Sequence, residues 1–584
     1  MSTAALASLL PLPVVFPITG AVLALLLSRL SKSAALVVSL VAMAGATLVL
    51  ALFAPRVFSG DVISHYLGNW GPVHGTALGV AFAADAFGLT YALLVAVIGM
   101  VLLLYTMSEL RGLGAHEMGG YACLFQLLLA ALIGSALAAD TIDVFVWFEV
   151  AALASYGLTG FFLERPIALE AAFKIMVLTN IAAFCVFVGS SLIYSRHGAL
   201  NFGQVHTALA GDLHDVDLVA LGLLVAGFAT KAGLMPFHGW LADAHTAAPG
   251  PVSALFSGLM VNLGIVAIVR FMYDVYDATN GALPILLTVM GAVSAVVGAA
   301  LALAQDDLKR LLAYDTVSQM GVLMVGFGVG STSAAAGATY HLVDHALFKT
   351  LLFLSAGAIV HATGMTKLSQ MGGLAHHRPG ITVAFLVGAA AIAGVPPLNG
   401  YVSLGLIHDA LLSGHPATFA VMILAQVLTV AALARATYLA FFRRRDDDYD
   451  SFERLRPGMI VSFASLALGC LAFGVLPSVV LDHVAAPAAA VLTESSGYSA
   501  GILAGQANLH VTSVSFDYFA ASGLLISVGT VAAGLLVAWW YVRRTAEPWP
   551  VHLLRRLHTG SVNDYAAYSV FGLTVTIVAL LAGR

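Results

Sequence analysis

The sequence predicts an all-α polytopic membrane protein of about 16 transmembrane helices, and three observations predict it. Apolar residues fill 60% of the 584 positions. Charged residues make up 9%, where a soluble domain carries about a quarter. Runs of roughly 20 apolar residues, each long enough to cross a bilayer, recur from one end of the chain to the other. A soluble core of this size would expose a surface that so few charges cannot cover. The formal net charge of −5 points away from nucleic acid. Cys123, Cys185 and Cys470 are far apart and form no CxxC, which argues against iron–sulfur ligation and against a disulfide framework. No cofactor or metal of the chain's own is expected, so any electron transfer belongs to another subunit.

Taken in order, helices are expected near 5–28, 34–54, 80–107, 120–139, 142–163, 170–194, 216–236, 248–270, 283–304, 311–329, 336–360, 381–411, 417–442, 458–481, 518–541 and 567–583. Arg29 is the first positive charge, so 5–28 reads as a retained helix and not a cleaved signal. The basic residues fall in alternate loops. One side holds 17, from Arg29 and Lys32 through Lys309, Arg310, Arg445, Arg454 and Arg555 to Arg556, and the other holds only Arg56, Arg196, Arg270 and Arg584. By the positive-inside rule the first side faces the cytoplasm, so both termini face outward across the cell (inner) membrane. The loop 482–517 has no Lys or Arg, which suits the outer face.

Four basic residues remain inside apolar runs: Lys174, Lys231, Lys349 and Arg435. Glu149 joins them in FVWFEVAALASYGLTG, and His341 and His345 in YHLVDHALFK. A charge at mid-membrane costs about 2.5–3.5 kcal/mol even on lenient scales, so such groups face the protein interior and are candidates for an ion path. The alternative for each is a structural ion pair or a snorkelling side chain, and Arg435, near the cluster Arg443–Arg445, suits that reading best. His341, His345 and Lys349 recur every four residues and share one helix face. A histidine ladder ending in lysine reads as a proton relay, because histidine titrates near neutral pH. Haem ligation by the paired histidines is the competing reading, and no matching histidines on a facing helix support it.

Proline interrupts two spans at depth: Pro236 in ATKAGLMPFHGWLADAH, where His238 follows it, and Pro396 and Pro397 in AIAGVPPLNGYVS. A broken helix in a bilayer must be buried in protein or line a wet cavity, and paired breaks in corresponding halves point to a transport site. EAAFKIMVLTN aligns with GATYHLVDHAL, setting Lys174 against His341, and SYGLTGF (155–161) resembles SQMGVLMVGF (318–327). The expected organisation is a flank at 1–119, a five-helix repeat at 120–270, a second at 283–440 and a C-terminal flank at 441–584. Five helices per repeat make the two copies inverted.

The segments DVFVWFEVAALASYGLTGFF, KAGLMPFHGWLADAHTAAPGPVSALFSGLM, DDLKRLLAYDTVSQMG, HLVDHALFKTLLFL and AIAGVPPLNGY resemble the signature segments of one family. It comprises the D-type subunits of Mrp antiporters and their relatives in complex I and energy-converting hydrogenases. The C-terminal LRRLHTGSVNDYAAY resembles the end of its longer members. The resemblance implies two inverted half-channels, each with a broken helix, in a proton-translocating subunit that works beside other membrane subunits, with Na+/H+ antiport as one form of that activity. In it Glu149 takes the place of the family glutamate, Lys231 that of its lysine partner, and His341, His345 and Lys349 that of the central relay. It also leaves room for a membrane-arm subunit of a quinone- or hydrogenase-type oxidoreductase, and for a scaffold that has lost transport. Two positions depart from the family pattern: Asn262 and Leu404 stand where many members carry a titratable side chain. His408, one turn beyond Leu404, with Asp409 beside it, is the candidate replacement.

Overall fold

The computed structural model describes residues 2–73, 76–444, 455–544, 556, 558 and 560–583. Arg445, Arg454, Arg555 and Arg584, counted above among the loop charges, lie outside the described residues. The spanning helices are α1 (Thr3–Leu27), α2 (Lys32–Val57), α3 (Ala86–Glu109), α4 (Ala115–Leu137), α5 (Thr141–Thr159), α6 (Pro166–His197), α7 (Asp215–Ala232 and Leu241–Ala247), α8 (Gly250–Val275), α9 (Ala282–Ala304), α10 (Leu308–Gly328), α11 (Thr332–Thr363), α12 (Pro379–Ile392 and Asn399–Gly414), α13 (Pro416–Phe442), α14 (Pro457–Val475), α15 (Ala521–Val542) and α16 (Val562–Ala582). Thirteen of these are long and apolar enough to cross a membrane. The other three are α7 and α12, which are broken, and α10, which carries Lys309, Arg310 and Asp315. Thirteen and three make 16 passes among the described residues, where the sequence predicts about 16. The two least apolar of the thirteen, α5 and α11, hold Glu149 and the group His341, His345 and Lys349.

Helices α4–α8 and α9–α13 run in the same order, each with its fourth member interrupted. The interruption is built alike in both. Gly233 (φ 70°) ends the first half of α7, and Gly394 (φ 71°) follows the first half of α12. Three residues after each glycine comes a cis proline, Pro236 and Pro397. The left-handed backbone at Gly233 and Gly394 is open to glycine and strained for other residues. Side chains of the break itself and of neighbouring helices satisfy the backbone groups freed by the breaks, as a lipid environment requires. Trp240 donates to the Thr230 carbonyl (2.7 Å), and Ser294 accepts from the Met235 amide (2.9 Å). In α12, Gln426 donates to the Ala393 carbonyl (3.2 Å) and Ser527 to the Gly394 carbonyl (2.7 Å).

Backbone pairing shows which loops share a side. A three-stranded antiparallel sheet of order β2-β1-β3 joins β1 (Asp61–Tyr66), β2 (Ala81–Ala84) and β3 (Gln506–Asn508). Phe82 bridges Ala138 and Asp140 bridges Asn201 on this same face, called the sheet face below. Asp307 bridges Lys367 on the opposite, basic face. The sheet lies outside the sequence expectation, which began a helix at 80. Its strand β2, AFAA, is an apolar run continuous with α3, and only Asp85, whose carboxylate caps the Phe87 and Gly88 amides, marks the boundary. The 482–517 loop is also structured: Pro477–Thr493 and Ser495–Ala504 are helical and lead into β3.

At the centre lies α8, wholly buried. Its sheet-face end is fixed by Arg270, which bridges Asp274 at 2.7 Å, bonds Asp85 at the start of α3, and stacks over Tyr498 at 4.7 Å. Both carboxylates are fully buried. Arg270→Ala is expected to destabilise the protein by about 3–5 kcal/mol, because it strands two buried carboxylates. Thermal unfolding of the detergent-solubilised protein checks this, and an unchanged midpoint would show that the triad is not structural.

Candidate ion-translocation site

The best-defined feature is an ion pair between α10 and α11. Lys349 Nζ lies 2.5 Å from Asp315 Oδ2 and 3.2 Å from the Leu312 carbonyl, and both side chains are 0% exposed. One turn along α11 is His345, buried, with neither ring nitrogen bonded to protein among the described residues. One turn further, His341 bonds Gln319 Oε1 of α10 and Ser403 Oγ of α12, each at 3.0 Å. The four-residue spacing has therefore put all three groups on the face that α10 and α12 close. Asp344, on the neighbouring face, accepts from Asn399 (2.7 Å) just past the α12 break.

In the first five-helix run, Lys231 ends the first half of α7. Its ammonium is buried without a protein hydrogen-bond partner among the described residues and lies 5.0 Å above the Phe148 ring. Glu149, half-buried on α5, interacts with it electrostatically. Lys174 lies elsewhere. It bonds Glu170 (2.6 Å) and Asp243 (2.9 Å), whose other oxygen bonds Arg310. That network ties α6 and α10 to the second half of α7 at the basic face, away from the Glu149–Lys231 pair. His238 meets His558 with their Nε2 atoms 2.5 Å apart, which couples the α7 break to the segment leading into α16. Arg435 donates to the Leu303 and Gln305 carbonyls and lies over Tyr541, a structural role. His408 is buried, whereas Asp409 points outward, since consecutive helix residues do not face each other. Asp409 is thus no interior partner of His408.

Three groups escaped the sequence reading. Asp315 stands in the quoted DDLKRLLAYDTVSQMG, but its partner is 34 residues away on another helix. His245 is buried, stacked on Phe353 at 4.6 Å, in the fields of Lys309 and Lys349. Glu109 interacts with Lys309, which donates to the Ala248 carbonyl (2.9 Å), and both line a cavity of about 470 Å3 open to the basic face, with Arg165, Asp307 and His361. Glu109 ends the long apolar run of α3, and that was its available signal; Asp315 and His245 stand in mixed polar segments that offered none.

The groups therefore form a series: Glu109, Lys309, His245, Lys349 with Asp315, His345, His341 and, within electrostatic reach of His341, His408. The Glu149–Lys231 pair lies across α8, which packs Gly264 against α7 and Gly258 against α11. Asn262 stands on that wall, donating to the Gly258 carbonyl (3.0 Å) with its Oδ1 unpartnered among the described residues.

Residues 138–429, half of the chain, match the model of the family described as "NADH:quinone oxidoreductase/Mrp antiporter, TM". The chain belongs to this family. It is 31% identical over 492 residues to NADH-quinone oxidoreductase subunit N of Desulforudis audaxviator, covering 81% of this chain and 96% of that one. Over 440 residues it is 31% identical to the D-type subunit of the Na(+)/H(+) antiporter of Alkalihalophilus pseudofirmus, covering 74% and 87% respectively. Its fold is similar to that of a chain in the Mrp complex from Dietzia sp. DQ12-45-1b (TM-score 0.77, 25% identity, 85% of this chain and 99% of that one). It is also similar to a chain of the membrane-bound sulfane sulfur reductase, an archaeal respiratory complex (TM-score 0.76, 26% identity, 86% and 100%). Members of one family thus serve both antiporters and respiratory complexes, and the match covers 87% or more of each of these four chains.

The Lys349–Asp315 pair makes a quantitative prediction. Lys349→Gln or Asp315→Asn alone leaves a buried charge unpaired, whereas the double variant leaves none. The double is expected to recover about 1–3 kcal/mol of the summed loss in a thermal-unfolding cycle, with transport lost in all three. Additive losses would mean that the two groups are not paired.

Proposed function

We propose that the chain moves protons across the cell membrane as one subunit of a larger membrane complex. The observation that carries this reading is the buried Lys349–Asp315 pair, set in a run of titratable side chains between two broken helices. Burial disfavours a charged group and a nearby opposite charge favours it, so a shift of one partner loads or releases a proton. A series of such pairs hands protons along, each step driven by the charge left behind. In this reading residues 120–270 and 283–440 are inverted half-channels, and 1–119 and 441–584 flank them. Glu149 and Lys231 work the first half. Lys174 and His238 lie at its basic-face end and feed it, and His341, His345 and Lys349 link it to the second.

The basic face is assigned to the cytoplasm and both termini to the outer side, from the asymmetry of 17 against four basic residues. The transported ion is H+, with Na+ as its exchange partner in the antiporter form. A second form of the same reading has the driving force supplied by redox subunits, as the respiratory names of two of the relatives suggest. The chain's own chemistry is the same in both, and it needs no cofactor. The partner subunits decide between them: iron–sulfur or NiFe subunits in the purified native complex mean redox coupling, small Mrp-type subunits mean antiport.

Two outcomes are expected in proteoliposomes. In the assembled complex, Glu149→Gln or Lys231→Ala abolishes proton movement without loss of assembly, and normal rates in both would end the ion-path reading. The isolated chain exchanges little or no Na+ for H+, and robust exchange by it would mean a self-sufficient transporter.

A further inference from the structure

Position 404 of the second half carries no titratable group. Leu404 packs in a compact apolar cluster with Ala295, Val322, Val325, Ile407 and Met422, at the junction of α9, α10, α12 and α13. One turn further along α12 is His408, only 4% exposed. Its ring meets the edge of Phe419 at 5.6 Å, which holds its orientation. It lies in the field of His341, the last member of the α11 ladder.

Beside His408 is a small cavity of about 20 Å3, lined by Leu404, His408, Asp409, Gln426 and Ser527. This is room for about one water molecule. Gln426 is buried, and its Oε1 has no partner among the described residues, so the cavity wall offers an unused acceptor. Asp409, exposed, stands at the open end. A titratable ring, a water-sized space with a free acceptor and a carboxylate at the surface thus follow one another toward the sheet face.

We propose that protons leave the second half through His408 and this cavity between α12, α13 and α15, with no titratable group needed at position 404. The proposal rests on the proton-translocating reading above. A proton on His341 passes to the imidazole of His408, and His341 returns to its neutral form. His408 then releases the proton to water in the cavity, beside Asp409, and is neutral again. One proton crosses per cycle, and nothing is oxidised or reduced.

The test uses the intact purified complex in proteoliposomes, with proton movement read by a pH-sensitive dye. His408→Ala is expected to lower the rate by about a hundredfold, and Leu404→Lys in that background to restore a large part of it. Where His408→Ala does not assemble, His408→Asn takes its place. Normal transport by the His408 variant while Lys349→Gln is dead overturns the outlet and leaves the subunit reading intact. Normal transport by both overturns the subunit reading itself. Independently, Ser527→Cys, in a background without the three native cysteines, is expected to react with a membrane-impermeant thiol reagent added from the sheet face. Failure to react would mean that the cavity does not connect to water there, and would also overturn the outlet.

Discussion

A fully buried lysine and a fully buried aspartate are each expensive in a bilayer when unpaired, and at Lys349 and Asp315 the architecture answers that constraint by making each the other's partner. The Lys349–Asp315 pair fixes α10 against α11 at one depth. Around it, α8 is wholly buried, and its close approach to α11 depends on Gly258, where a side chain would strike Thr350. Breaking such a pair costs more than making it gains. The pair is therefore poor as a source of stability and well suited to a group that must change its charge without leaving its place.

The two halves carry this constraint differently. Glu149 is the ninth residue of α5 and Asp315 the eighth of α10, so the acidic groups occupy equivalent places in the two runs. Their lysines do not. Lys231 stands on the broken helix, two residues before Gly233, whereas the matching place before Gly394 is Ile392, and the second lysine has moved to α11. The first lysine lacks a protein hydrogen bond among the described residues, and the second has two. One backbone plan, used twice, thus holds a loose pair in one half and a tight pair in the other.

Much of this was legible in the sequence. Period and length placed all the spanning helices, because a bilayer leaves few alternatives to helices of about 20 residues. Proline at depth marked both breaks, and charge at depth marked Glu149, Lys231 and Lys349. Pairing between distant helices was not legible. Asp315 and Lys349 are joined only by the packing of α10 on α11, and the Lys174 network only by the return of α7 to the basic face. The sheet was hidden because β2 is as apolar as the helix it precedes, and because the central strand β1 pairs with partners 15 to 21 and more than 400 positions away in sequence. The helices within 477–504 were hidden because the absence of lysine and arginine places a segment on a side of the membrane but does not say that it is a loop.

The C-terminal flank is part of the site and not an appendage to it. Each broken helix exposes backbone groups that lipid cannot satisfy. At the α12 break the Gly394 carbonyl is bonded by Ser527 of α15. At the α7 break, Gly572 of α16 packs against Pro236 and Phe237, and His558, just before α16, bonds His238. A five-helix run folded without these helices would leave the α12 break with an unbonded carbonyl and the α7 break open to lipid at the depth where charge is most expensive. The two halves can keep irregular backbone and titratable groups inside the membrane because the last hundred residues cover them.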